Sequence, residues 1–246
     1  MPTAAPGRPL YEELRTHLTE AIARGDWKPG EPIPAEGALA RSFGVAIGTV
    51  RKAVDALVAG QVLVRRQGKG TFVTEHDGSR LLFHFFHIVG RDGTKAYPDV
   101  RTLAFRRDRA DGATARALGI APLEKVVRIR NLLLLRGEPV IVDDITLPGP
   151  LFPGITERAF VARENTIYHL YQSRYGINVL RADERIAATV ASAESGAHLG
   201  VAAGTALLEI RRIALSFRDR PVELRLSLVN TARHVYHNAF AKGAVL

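Results

Sequence analysis

Hydrophobic residues recur at helical spacing near the start of the chain. Together they predict one apolar face of a first helix, formed by Leu10, Leu14, Leu18 and Ile22. Gly25 follows directly and is a typical helix end. The next segment, GDWKPGEPIP, holds three prolines and two glycines and cannot continue a helix. The pattern therefore predicts a helix followed by a turn-rich connector.

Two shorter helices and a hairpin are predicted after this connector. The helices would span about 35–43 and 47–59, and each is followed by a glycine. Val50, Val54, Leu57 and Val58 would face inward from the second of them. The runs VLV and TFV flank the basic tip RRQGKG, which predicts a β-hairpin. Three helices and a basic hairpin make a winged helix-turn-helix.

The rest of the chain predicts an α+β domain with a mostly antiparallel sheet. Strands are expected at about 81–88, 100–107, 124–135, 138–147, 178–190, 206–217 and 221–229. Helices are expected at 111–118, 165–175 and 192–199, with Asp111, Asn165 and Ser192 as N-caps. No internal repeat is evident in the amino-acid sequence. The predicted domains are 1–75 and 80–246, joined by a short polar linker at 76–79.

Composition narrows the possible classes of protein. The chain of 246 residues suits two domains, and its lack of cysteine excludes disulfides, thiolate metal sites and a cysteine nucleophile. The segment MPTAAPGRP lacks the apolar core of a signal peptide, and no run of about 18 apolar residues occurs. We therefore expect a cytoplasmic protein that does not enter a membrane.

Basic residues concentrate in the predicted helix-turn-helix and hairpin. The formal net charge is +9, but between Arg41 and Thr71 six basic residues stand against one acid, Asp55. A recognition helix needs cationic and polar groups at its N-terminal end, and a hairpin needs a slim cationic tip to lie along phosphates. The alternative is an ordinary three-helix unit with solvated charges. The predicted contacts to double-stranded DNA are Gly48, Thr49, Arg51, Lys52, Arg65, Arg66, Gln67, Gly68, Lys69, Gly70 and Thr71.

Polar side chains alternate along three predicted strands of the second domain. These sets are Arg128 with Arg130, Arg181 with Asp183 and Arg185, and Glu223 with Arg225 and Ser227. Residues two apart in a strand share a face. Arginines projecting from a sheet suit a carboxylate or a phosphate, which a guanidinium can bind with two hydrogen bonds. The alternative is that each set is the solvent face of a half-exposed sheet.

Histidines do not predict a metal site. His84 and His87 are three apart, which puts them on opposite faces of a strand, and no carboxylate completes a ligand set. Either histidine could line a ligand pocket, although a packed or exposed histidine is the simpler interpretation. We expect no metal, no cofactor and no catalytic residue.

The first domain resembles the GntR-type DNA-binding domain over its whole length. The stretch that carries the resemblance runs from PLYEEL through GDWKPGEPIPAEGALARSFGVAIGTVRKAVDAL to VRRQGKGTFV. The resemblance implies a dimeric repressor or activator on a pseudo-palindromic operator. The family often has serine at Ala35, arginine at Gly37 and Ser-Arg at Ala46-Ile47. Because these positions differ, Arg51 and the basic hairpin, which forms the wing, must contribute more of the DNA binding. The operator sequences of relatives therefore do not predict the operator of this protein.

Residues 80–230 resemble the UTRA effector domain of HutC-type GntR regulators, which has a chorismate-lyase-like fold. The stretches are RLLFHFFHIVGRDG, VVRIRNLLLLRGEPVIVDDITLPGPLFPGI, NTIYHLYQSRYGINVLRADERI and RPVELRLSLVNTARH. The family usually has glutamate at Asp143 and often tyrosine at Leu224. The resemblance implies that the effector contacts Arg128, Arg130, Asp143, Thr166, Tyr168 and Glu223, with Arg181 as a further candidate.

The predicted function is a homodimeric repressor of a metabolic or uptake operon. A small anionic metabolite, such as a sugar phosphate or a carboxylic acid, would release it from its operator. A ligand-responsive activator remains an alternative. Two other classes are an enzyme built on the lyase-like fold and a non-specific architectural DNA-binding protein. No nucleophile elbow, phosphate loop or cofactor lysine motif supports an enzyme.

Overall fold

The computed structural model describes residues 9–60, 62–75, 85–163 and 165–238. A small helical unit with a β-hairpin precedes a larger α+β unit, as the sequence predicts. His84 and the linker at 76–79 lie outside the described residues, so the expectations for them stay predictions.

The small unit is a three-helix fold with a two-stranded wing. Its helices are α1 (Leu10–Arg24), α2 (Glu36–Phe43) and α3 (Ile47–Ala59), and its strands are β1 (Leu63–Arg66) and β2 (Gly70–Val73). Leu14, Leu18 and Ile22 are buried with the predicted inner residues of α3, of which only Val58 is partly buried. Leu10, which we expected on the same apolar face, is exposed because it is the first residue of its helix.

The large unit contains eight further strands and four further α-helices within the described residues. The strands are β3 (Ile88–Gly90), β4 (Asp99–Arg109), β5 (Lys125–Leu135), β6 (Glu138–Pro148), β7 (Arg181–Val190), β8 (Ala206–Leu215), β9 (Pro221–Val229) and β10 (His234–Tyr236). The helices are α4 (Gly112–Leu118), α5 (Glu157–Val161), α6 (Ile167–Tyr175) and α7 (Ala193–Leu199). Asp111 and Ser192 cap their helices as predicted, but Thr166 rather than Asn165 caps α6.

Six of these strands form one antiparallel sheet in the order β4-β5-β6-β9-β8-β7. The order is symmetric about the β6–β9 pair, and each half consists of a strand, a seven-residue helix and a hairpin. Both short helices end at a glycine with a positive φ, Gly119 and Gly200. The sequence shows no evident repeat, but the order of elements is repeated in the structure. The two halves share a backbone plan while most of their side chains differ.

The six-stranded sheet has two differently covered faces. The inner face is covered by α5 and α6, whose aromatic residues pack on Val127, Ile129 and Ala214. The outer face is covered at one end by α4 and at the other by α7. Strand pairing assigns Asn131, Asp143, Glu223 and Arg225 to the inner face, and Arg128, Arg130, Asp144 and Leu226 to the outer face.

Helix α2 lacks a side-chain N-cap, because Ala35 stands at the cap position. Ala35→Ser is expected to raise the free energy of unfolding by about 1 kcal/mol, since a hydroxyl there can accept a bond from a first-turn amide. Urea denaturation measures this change. Ser192→Ala is the matched control and should lower stability by a similar amount, because Ser192 already caps α7. Equal stability of Ala35→Ser and the parent chain would contradict the prediction.

Candidate functional site

The N-terminal end of α3 presents the predicted recognition residues to solvent. Gly48, Arg51 and Lys52 are exposed and Thr49 is half-buried, whereas Val50 on the opposite side is fully buried. The Lys52 ammonium lies 4.1 Å from the centre of the Tyr11 ring, which fixes its direction. The structure therefore brings the helix residues of the predicted DNA interface together on one surface.

The wing carries the remaining predicted DNA contacts. Arg65 pairs with Thr71 and Arg66 with Gly70 across the hairpin, and the tip residues Gln67, Gly68 and Lys69 are exposed. Gly68 and Gly70 have φ of 70° and 113°, which other residues rarely adopt. The Arg66 guanidinium stacks 4.5 Å from the Phe72 ring. The backbone of the tip is therefore slim and its cations are directed outward.

Two acidic residues, Glu36 and Asp55, organise this surface through contacts that the sequence did not predict. Glu36 of α2 accepts hydrogen bonds from Arg51 Nε and Arg65 Nη2, each at 3.0 Å. Arg65 also lies 2.6 Å from Asp55. Glu36 therefore connects the recognition helix to the wing. The spacing of charges along the chain carries no signal for this contact, because three separate elements meet there.

A buried network of charged and polar groups lies on the inner face beneath α6. Arg225 donates from Nε and Nη2 to the two carboxylate oxygens of Glu223 at 2.9 and 3.0 Å, and from Nη1 to Asp143 at 3.1 Å. The hydroxyls of Tyr168 and Tyr171 donate to Glu223 at 3.2 and 2.6 Å. Glu223 is 0% exposed. These groups form the centre of the candidate effector site.

Burial controls the protonation of this network. Burial raises the pKa of the Asp143 carboxyl, and the neighbouring Arg225 opposes that rise. Burial, followed by the Glu223 carboxylate, raises the pKa of Tyr168 to about 12. The same two causes raise the pKa of Tyr171. Both phenols therefore stay protonated at neutral pH and act as hydrogen-bond donors.

A second ion pair extends the network toward the edge of the domain. Arg212 contacts Glu184 on the neighbouring strand and donates to the backbone carbonyl of Phe85. The Tyr236 hydroxyl donates to the same Glu184. The His87 ring lies 5.1 Å from the Tyr236 ring, so His87 stands beside this extension. Phe85 and His87 therefore lie at one side of the candidate site.

Arg128 and Arg130 do not join this network, which corrects the expectation of a single effector site. Both project from the outer face of β5, and strand pairing places Arg130 opposite Asp144 rather than Asp143. Arg130 donates to Asp144 at 2.7 Å and also contacts Glu194. Arg128 contacts Asp108 and Asp111, each at 3.0 Å. The sheet lies between these two arginines and the inner-face groups.

The outer face forms an open concavity of about 480 Å³ between α4 and α7. It is lined by Arg106, Arg128, Arg130 and Arg211, together with Asp144, Thr146, Leu224 and Leu226. Each of the four arginines has a carboxylate of this chain within 4 Å. The positive charge of this concavity is thus largely neutralised within the chain.

The three other predicted effector residues have different positions. Arg181 begins β7 and ion-pairs with Asp219 at 2.9 Å, so it lies at the contact between the two domains and away from the inner-face network. Thr166 and Tyr168 lie at the start of α6, over the inner face. Asp143, Thr166, Tyr168 and Glu223 therefore remain together as candidates. Arg128, Arg130 and Arg181 do not.

Helix α6 also touches the DNA-binding unit. Gln172, on the same helix as Tyr168 and Tyr171, donates to the Thr74 carbonyl at 3.0 Å and also to Asn178. Gln172 is 5% exposed. Thr74 follows the last residue of β2, the second strand of the wing. One helix therefore connects the candidate effector site to the end of the wing.

Neither a metal site nor a membrane-spanning helix is found in the described parts of the chain. No three histidine or acidic side chains lie close enough there to hold a metal ion. Within the same residues, no helix has the length and hydropathy that crossing a bilayer requires.

Comparisons with known proteins identify both halves of the chain. Residues 10–73 match the model of the bacterial regulatory proteins of the gntR family, and residues 95–235 match the UTRA domain. The mannosyl-D-glycerate transport/metabolism system repressor MngR of Escherichia coli is 30% identical over 206 residues, which cover 82% of this chain and 83% of MngR. The histidine utilization repressor of Klebsiella aerogenes is 32% identical over 216 residues, with 86% of each protein covered.

Solved structures agree with these matches. The ligand-binding domain of a GntR-family regulator from Bordetella bronchiseptica has a TM-score of 0.62 and 35% identity, covering 64% of this chain and 98% of that domain. PhnF from Mycobacterium smegmatis has a TM-score of 0.56 and 25% identity, covering 93% of this chain and 99% of PhnF. The chain therefore belongs to the GntR family, with a helix-turn-helix domain followed by a UTRA effector-binding domain, and it is a transcriptional regulator and not an enzyme.

Proposed function

We propose that this protein is a homodimeric repressor of a metabolic or uptake operon, and that a small anionic metabolite releases it from a pseudo-palindromic operator. Relatives named as repressors of mannosyl-D-glycerate, histidine and fructoselysine systems support the assignment to small-molecule metabolism. Sugar phosphates and carboxylic acids are the proposed effector classes. Since its target is operator DNA, we place the protein in the cytoplasm.

The single observation that carries the proposal is the buried network beneath α6. Buried ion pairs contribute little net stability compared with apolar packing, so an extensive one is better explained by a binding role. Asp143 and Glu223 share Arg225 and can accept hydrogen bonds from ligand hydroxyls. Tyr168 adds a hydroxyl group from the first turn of α6, and Thr166 adds one from the N-cap position just before it. The proposed effector site is therefore Asp143, Thr166, Tyr168 and Glu223 with Arg225.

Arg163 supports the proposal that the effector carries a negative charge. Its guanidinium lies 4.4 Å from the centre of the Phe160 ring and donates to the Phe160 carbonyl at 2.5 Å. Burial lowers the pKa of Arg163, and the neighbouring Arg225 cation lowers it further. Among the residues that the structure describes, no carboxylate lies within 4 Å of the Arg163 guanidinium. An anionic group of the effector would neutralise this charge.

The proposed route from effector to operator is α6 itself. A ligand that contacts Thr166 or Tyr168 changes the position of a helix whose Gln172 binds the Thr74 carbonyl. Two recognition helices must lie about one turn of DNA apart, roughly 34 Å, to contact both half-sites. A coupling free energy of about 1–3 kcal/mol between effector and operator binding would then follow from a modest change in domain orientation.

Tyr168→Phe is expected to weaken effector binding about tenfold, because it removes one hydrogen-bonding hydroxyl from a buried site. A thermal-shift screen of sugar phosphates and small carboxylic acids would first identify a stabilising ligand, and titration would then give its affinity for each variant. The control is Arg128→Ala with Arg130→Ala, which alters the outer face and should leave that affinity unchanged. If the outer-face variant loses ligand binding while Tyr168→Phe retains it, the effector site is on the outer face and the proposal is wrong.

A further inference from the structure

The turn between β8 and β9 contacts the DNA-binding domain. Phe217 packs against the hydrophobic core of that domain, together with Leu180. The Arg218 guanidinium ion-pairs with Glu20 of α1. Asp219 binds Arg181 at 2.9 Å and so connects the turn to the start of β7. Consecutive residues of one short turn thus reach both domains.

The backbone of this turn is strained. Arg218 has φ of 58° and ψ of 32°, and Asp219 has φ of 56°. Two consecutive left-handed residues are typical of a tight hairpin turn, in which asparagine and glycine are the favoured residues. Arginine is a poor choice for this conformation, whereas aspartate adopts it more readily. The contacts of Phe217, Arg218 and Asp219 with the rest of the molecule therefore hold it.

The turn docks away from the DNA-reading surface. On the DNA-binding domain, this contact region is lined by α1 residues from Arg15 to Glu20 and by residues at and just after the end of α3, from Ala56 to Gly60. Thr49 and Arg51 lie at the opposite end of α3. Docking therefore leaves the recognition end of α3 free to enter a major groove.

The contact is also incompletely packed. An open concavity of about 520 Å³ lies between α1, the end of α3 and the turn, so the two domains are not tightly packed along this side. Domains that move relative to each other meet through limited contacts of this kind. The two domains are therefore joined by a contact that can open.

We propose that the β8–β9 turn is a docking element that holds the DNA-binding domain in one orientation on the effector domain, with Phe217 and Arg218 as its positioning residues. The turn acts in addition to the Gln172–Thr74 hydrogen bond and the covalent connection. This inference concerns the two domains of one chain and depends on neither the effector nor the operator.

The test measures the distance between the domains in the full chain. Because the chain has no cysteine, Ser42→Cys and Ala197→Cys place two spin labels without other changes. Both positions are exposed, and neither lines the contact. Pulsed electron paramagnetic resonance gives the distribution of distances, and dilution with unlabelled protein removes distances between copies. The parent chain should give a single narrow distribution.

Phe217→Ala with Arg218→Ala should make this distribution about twofold broader, because it removes the packing of Phe217 and the ion pair with Glu20 that hold the turn on the DNA-binding domain. Arg220→Ala is the matched control in the same turn. Arg220 has no ion pair among the described residues, so its replacement should change nothing. Arg218→Glu should also broaden the distribution, and adding Glu20→Arg should restore it. This restoration keeps the test decisive if the alanine variant folds poorly.

Three results would overturn the proposal. The first is a distribution in the alanine variant as narrow as in the parent chain. The second is equal broadening by Arg220→Ala, which would show that the turn conformation and not its contacts matters. The third is a charge-swapped variant, Glu20→Arg with Arg218→Glu, that is folded by circular dichroism but does not regain the narrow distribution of the parent chain.

Discussion

Replacing Glu223 with alanine is expected to lower the free energy of unfolding by about 3–5 kcal/mol, the typical cost of removing one partner from a buried ion pair. Glu223 is 0% exposed and accepts two hydrogen bonds from Arg225 and one each from Tyr168 and Tyr171. Its removal leaves Arg225 with Asp143 as its remaining carboxylate contact and leaves two buried hydroxyls without that acceptor. Urea denaturation followed by circular dichroism measures the change.

The expected loss of stability is much larger for a carboxylate in the buried network than for one in a surface ion pair. Glu209→Ala on the neighbouring strand β8 is the control, because Glu209 contacts Arg211 only at 3.7 Å. Such a pair is worth about 0–1 kcal/mol. Domains of this kind have a total stability of about 5–15 kcal/mol, so the Glu223 variant should unfold at clearly lower urea. Similar small losses for both variants would mean that the buried network does not form in solution.

Much of the fold follows from the pattern of the sequence. The helices of the DNA-binding domain, the wing and the six long strands were all predicted to within a few residues. The strand expected at 178–190 begins later, at Arg181, and β10 was not predicted. The α6 cap was misplaced by one residue, because both Asn165 and Thr166 are good N-caps and only the backbone geometry distinguishes them.

The candidate site was predicted only in part, and strand parity explains why. Alternation correctly put Glu223, Arg225 and Ser227 on one face of β9, but it does not say which face is covered. The simpler expectation of a solvent-exposed set is wrong for these three residues, because their side chains are largely buried on the inner face. The expectation of a solvent-exposed set is correct for Arg181, Asp183 and Arg185, which are exposed on the edge strand β7.

The resemblance to the family placed Arg128 and Arg130 in the effector site, and the register of β6 separates them from the inner-face network. Asp143 faces inward toward Ser227, whereas Asp144 faces outward toward Arg130. A shift of one residue moves every side chain of a strand to the other face. Sequence spacing cannot settle such a shift, because it depends on how β5 and β6 pair.

Contacts between distant elements could not be predicted at all. Glu36 meets Arg51 and Arg65 only because the wing folds back beside α2 and α3. Gln172 meets Thr74 only because α6 lies against the end of the wing. Each contact joins segments whose separation in the sequence carries no periodic signal. The residues that connect the parts of this regulator are therefore the ones that only the structure reveals.

Arg51→Ala is expected to weaken operator binding by about 1–3 kcal/mol, which is roughly 5- to 150-fold, the range for an arginine that contacts a base edge with two hydrogen bonds. Arg51 is exposed at the recognition end of α3, and Gly37 and Ile47 leave few other cations there. Gel-shift titration with an operator selected from random duplexes measures the loss. Arg24→Ala is the control, because Arg24 lies at the end of α1 and pairs with Asp26.

Glu36→Gln provides the opposite test of the same surface. The Glu36 carboxylate binds both Arg51 and Arg65 in the DNA-free protein, so these arginines must leave it or share it when phosphates approach. Neutralising Glu36 removes that competition and a negative charge near the DNA, and operator affinity should rise. Each additional bond from an arginine to a phosphate should steepen the dependence of log affinity on log salt by about 0.9. A fall in affinity would instead mean that Glu36 aligns Arg51 for base recognition and does not compete with the DNA for it.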